Sequence, residues 1–62
     1  MTLQDIMNLG NNRSMKFVVI CSDGITAKGT YEEVMANEEI QPHLKTVITS
    51  SRKYGGQIII TL

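Results

Sequence analysis

Residues 15–28, MKFVVICSDGITAK, decide the fold. Met15 to Cys21 is rich in β-branched residues and reads as a strand. Asp23-Gly24 tolerates the positive φ angles of a type I′ turn. Ile25 to Lys28 is then the return strand of a hairpin. Successive side chains of a strand point to opposite faces, so Phe17, Val19 and Cys21 share one face and Val18 and Ile20 the other. A strand with one wet face alternates apolar with polar residues. This one is apolar on both faces and is expected at the centre of a sheet.

The C-terminal stretch, QIIITL over residues 57–62, has the same character. Ile58, Ile60 and Leu62 face one way, Ile59 and Thr61 the other. The first and last strands are therefore expected side by side, with strands two and three outside them. Residues 44–50, LKTVITS, read as the third strand, and residues 51–56 as a polar loop ending in Gly55-Gly56.

Two short helices complete the pattern. Residues 2–9 carry Leu3, Ile6 and Met7 at helical spacing, with Thr2 and Asp5 as an N-terminal cap and Gly10 as a stop. Residues 10–14 are a loop by composition. Thr30 with Glu33 starts the second helix, Tyr31, Val34 and Met35 face inward, and the helix must end before Pro42. The fold class is α+β: a small antiparallel β-sheet of two hairpins (ββαββ), a short N-terminal helix and a short helix between the hairpins. Residues 1–62 are read as one domain, with 1–14 a helix and loop and 15–62 the ββαββ core.

Apolar residues make up 42% of the chain, too many for a disordered one. No apolar run approaches the ~20 residues of a membrane helix. The N-terminus lacks the basic start and apolar core of a signal peptide, so the expected location is the cytoplasm, with no membrane partner. Area scaling says a chain of 6.9 kDa buries only about 60% of its surface, so packing is marginal and a staple is wanted. Cys21 is the sole cysteine, which excludes an internal disulfide. Zinc is disfavoured, because Cys21 and His43 are the only strong soft or borderline ligands. Unusually good packing or self-association remains. Self-association would run through Val18, Ile20, Ile48 and Ile59, the apolar residues that helices on one face leave uncovered; the alternative is that the short N-terminal helix folds over that second face.

Little points to catalysis. Cys21 lies in the densest apolar run and reads as buried and structural. His43 follows Pro42 in a connection and reads as solvated. Glu32 and Glu33 diverge by about 100° on a helix, poor for a shared metal. A ligand pocket takes about 300 Å³ or more, hard to spare in so small a core. No catalytic, metal or cofactor site is expected.

Charge is more informative. The net charge is zero, yet residues 1–42 hold all six acids and three of the bases, while residues 43–62 hold three bases and no acid. The segment Ser50 to Gly56 joins hydroxyls, Arg52, Lys53, the Tyr54 ring and two glycines. That mixture suits a phosphate backbone with a stacked base. It departs from the Gly-x-x-x-x-Gly-Lys loop of nucleotide hydrolases. The expected function is a small non-enzymatic interaction module, a homodimer binding another macromolecule, with Glu32, Glu33, Lys45, Arg52, Lys53 and Tyr54 as contacts. The alternative is a nucleic-acid-binding dimer using Arg52, Lys53 and Tyr54. The brevity and the scarcity of catalytic groups resemble small proteins of bacteriophages and mobile elements, a likeness of type that carries no residue roles.

Overall fold

The structure, a computed structural model, describes residues 1–62. It is a small α+β fold with a four-stranded mixed sheet and two short helices. In chain order the elements are α1 (Leu3–Met7), a 3₁₀ turn (Gly10–Ser14), β1 (Lys16–Ile20), β2 (Thr26–Thr30), α2 (Tyr31–Met35), a second 3₁₀ turn (Gln41–His43), β3 (Ser50–Tyr54) and β4 (Gln57–Thr61). The strands lie in the order β2-β1-β4-β3, so the first and last strands are central as their pattern requires.

Both helix starts are local devices. The Asp5 N–H donates to Thr2 Oγ1 and the Thr2 N–H to the Asp5 carboxylate. The Glu33 N–H donates to Thr30 Oγ1, and the Thr30 N–H to Glu33 Oε1 at 3.0 Å. These reciprocal bonds satisfy donors that a helix start leaves open. Thr30 ends β2 and caps α2 at once, so strand passes into helix without a loop. Each helix has five residues, and α1 is shorter than the expected span of 2–9.

Four expectations need correction. The sheet is mixed, because β1 and β4 pair in parallel, Phe17 opposite Ile58 and Val19 opposite Ile60. Apolar patterning places strands centrally without setting their direction. Here β2 and β3 run the same way, and residues 31–49 cross over one sheet face to join them, as such a connection needs a dozen or more residues.

The third strand is Ser50–Tyr54, not 44–50, and the supposed loop is the strand itself. Gly55 and Gly56 have φ of 56° and 81° and link Tyr54 directly to Gln57. A two-residue turn sets the register of its hairpin, so β4 pairs with the five residues before the glycines. Residues 44–48 bond to the N-terminus instead: the Leu3 N–H donates to Thr46 O, the Gln4 N–H to Leu44 O and the Ile48 N–H to Met1 O.

The tight type I′ geometry belongs to Gly55-Gly56 and not to Asp23-Gly24. In the first hairpin only Gly24 has positive φ, and its N–H donates to Cys21 O at 3.1 Å. That is a three-residue loop closed by a glycine, the next commonest hairpin link.

Finally, Gly10–Ser14 is ordered. Buried Asn12 donates from Nδ2 to Ile6 O at 2.8 Å and anchors this turn to the end of α1. One core lies on one side of the sheet and holds Leu3, Ile6 and Met7 of α1, Val34 of α2, Ile40, and Phe17, Val19, Ala27, Ile58 and Ile60 of the strands. Both helices therefore cover the same face, and neither reaches the other.

Candidate functional site

The uncovered sheet face is the most distinctive surface. Register assigns its rows. The middle row is Lys28, Val18, Ile59 and Arg52. The flanking rows are Thr30, Lys16, Gln57 and Tyr54 on one side, and Thr26, Ile20, Thr61 and Ser50 on the other. Val18 and Ile59 are half-buried in the centre, and Ile20 is exposed. Lys16, Lys28 and Arg52 surround this apolar strip, and Tyr54 stands at a corner, 73% exposed.

No carboxylate lies on this face. All six are in α1, α2, the first hairpin turn or the connection after α2. The only contact of a carboxylate with a basic side chain joins Asp23 Oδ2 and His43 Nε2 at 3.5 Å, so Lys16, Lys28 and Arg52 have no carboxylate partner within salt-bridge distance.

The expected contact residues are divided by the fold. Arg52 and Tyr54 share the open face. Lys53 is paired with core residue Ile58 and points to the other side, and Lys45 lies in the connection before β3. Glu32 and Glu33 sit on α2, over the helix-covered face. Glu33 is engaged in its cap, where the Thr30 N–H first and the Thr30 side chain second hold its carboxyl below the ordinary 4.5, with Lys16 adding to the same effect and slight desolvation opposing it. Of the residues proposed for self-association, Val18, Ile20 and Ile59 share the open face. Ile48 does not, since it packs against the core.

An open cleft of about 430 Å³ adjoins the open face at Lys16 and Thr30. It lies between the first 3₁₀ turn and the start of α2, so its volume comes from the surface and costs the core nothing. The expectation that the core has no such space to spare concerns the interior, and this cleft lies outside it. The Arg13 guanidinium stacks over the Tyr31 ring at 4.5 Å, and the Tyr31 hydroxyl donates to Asn8 Oδ1 at 2.6 Å. Glu32 is on the same wall. The cleft holds no cysteine or histidine.

At the opposite end of β1, Cys21, Asp23 and His43 come together, with one donor atom of each within 4.8 Å of the others. Cys21 is buried as expected, at the margin of the hydrophobic core cluster, with Asp23 and His43 near its thiol. Burial, and then the nearby Asp23 and Glu39 carboxylates, push its thiol above the ordinary value. His43 is half-buried against Asp23 and not freely solvated. Comparison with protein-family models, with curated proteins and with solved structures finds no match.

Proposed function

We propose that this chain is a non-enzymatic binding module that carries nucleic acid, single-stranded or unpaired, on its open sheet face. The observation that carries the reading is the makeup of that face: three unpaired cations, an exposed tyrosine and an apolar centre, with every carboxylate elsewhere. Cations take the phosphates, and an aromatic ring stacks on a base whatever its identity. A four-stranded sheet presents such groups on a flat platform, a surface that RNA-binding modules use. Arg13 adds a further cation in the adjoining cleft, which it shares with Glu32. The test is a binding titration with labelled single-stranded RNA and DNA at low and moderate salt. Undetectable binding at low salt removes the proposal.

A second reading rests on a different observation. Val18, Ile20 and Ile59 form a continuous apolar strip that no element of this chain covers. A second copy of the chain placed there gives the homodimer, and two-fold dimers are the commonest soluble assembly. Sedimentation separates the readings. A dimer that Ile20→Asp converts to monomer supports self-association through the face. A monomer at micromolar concentration that still binds nucleic acid leaves the face to that ligand.

A further inference from the structure

We infer that Cys21, Asp23 and His43 form a binding site for one borderline divalent cation, zinc by preference. The three residues offer a thiolate, a carboxylate oxygen and an imidazole nitrogen, the donor set that zinc takes. They come from separate places: the end of β1, the first hairpin turn, and the 3₁₀ turn after α2.

The geometry is near that of a bound site. Zinc bonds of about 2.0–2.3 Å at tetrahedral angles place ligand atoms roughly 3.3–3.5 Å apart. His43 Nε2 and Asp23 Oδ2 are already 3.5 Å apart. The full set lies within 4.8 Å, so a bound ion requires the widest separation to shorten by about 1.3 Å to reach the tetrahedral spacing. Asp23 is also held in place, because its other oxygen, Oδ1, accepts the Ile25 N–H at 3.2 Å. Such an outer hydrogen bond orients a ligating carboxylate and leaves Oδ2 for the metal. Asp23 and His43 are partly exposed, which provides an entry path, while Cys21 is sheltered. The fourth position is left to water. Binding displaces the thiol proton to solvent and ties the first hairpin to the α2–β3 connection, a staple of the kind small domains use.

The experiment uses the reduced, chelator-stripped full chain. Cobalt(II) is the optical probe, zinc chloride is titrated by calorimetry, and melting is followed with zinc and then with excess chelator. The expected result is one site per chain, a sulfur-to-cobalt charge-transfer band, and a melting temperature that zinc raises and chelator restores. His43→Gln and Asp23→Asn, both at partly exposed positions, should each weaken binding by at least the ~10–100-fold that losing a supporting group costs. Cys21→Ser should abolish the charge-transfer band. Absence of saturable binding overturns the site. So does an affinity unchanged in both His43→Gln and Asp23→Asn, which would place the metal elsewhere.

Discussion

Arg52 and Lys53 are neighbours in sequence and lie on opposite faces of the sheet, so they separate the open-face reading from a general basic patch. Lys28 and Arg52 close the two ends of the middle row, about 14 Å apart across three strand spacings. With Lys16, three cations face the ligand. Each phosphate neutralised on a single strand adds about −0.7 to the slope of log affinity against log salt, so the wild-type slope should be about −2. A fourfold rise in salt then weakens binding roughly 20-fold. Lys28→Gln with Arg52→Gln leaves one contact, a slope near −0.7 and a loss of only about 3-fold over the same range. All three positions are exposed strand residues, and such exchanges change stability by about 0.5 kcal/mol or less. The assay is fluorescence anisotropy with a labelled oligonucleotide over a salt series, with Lys53→Gln as control. Two results would refute the reasoning: a double variant that keeps the wild-type slope, or a Lys53→Gln variant that lowers it as much as Arg52→Gln does.

Other outcomes follow from the fold itself. Asn12→Ala removes a buried donor and leaves Ile6 O without that partner, at a cost of about 1–3 kcal/mol by urea denaturation. Gly29→Ala is strained twice, since φ is +141° and the new Cβ would stand 3.0 Å from the Glu33 side chain. It should destabilise by roughly 1–3 kcal/mol and loosen the α2 cap, visible as faster amide exchange at Glu33. Glu33 and Asp5 both have carboxyls held below their ordinary values by their caps. A depressed folded-state pKa contributes stability above the unfolded value and loses it as pH falls through the folded one. The melting temperature should therefore fall below about pH 4.5, and Glu33→Gln should flatten that fall.

What could be read from the sequence is what four or five consecutive residues decide. Thr2 with Asp5 and Thr30 with Glu33 each hold a complete cap within one turn, so both helix starts are visible. Phe17 to Ile20 and Ile58 to Thr61 show central strands because both of their faces are apolar. β3 gives no such signal. Every residue of Ser50–Tyr54 is exposed, so the strand looks like a loop by composition. The mark that locates it is Gly55-Gly56, read as a two-residue turn and counted backwards from β4. Strand alternation then separates Arg52 from Lys53, which composition had grouped. The gathering of Cys21, Asp23 and His43 is hidden for a different reason. His43 lies well along the chain from Cys21, and only the crossover after α2 returns it to the first hairpin. Counting ligand types in sequence gives no sign of that.

The molecular surface bears on the choice between a second copy and a ligand on the open face. The chain leaves 3994 Å² exposed. Area scaling for a folded monomer of 6.9 kDa gives about 4,000 Å². The single chain is thus as well buried as monomers of its size are, although one sheet face lies bare. The apolar strip is therefore no burial deficit relative to other monomers of this size, while burial itself stays as marginal as the sequence implies. Charge argues in the same direction. A two-fold face-to-face dimer would gather Lys16, Lys28 and Arg52 of both copies at one interface, with no carboxylate on either face. Like charges gathered in one interface repel, and more so when the apolar centre excludes water. A polyanion meets the same face with the opposite sign. On the proposed reading, the apolar strip of Val18, Ile20 and Ile59 would serve as a floor for bases and the surrounding cations would engage their phosphates.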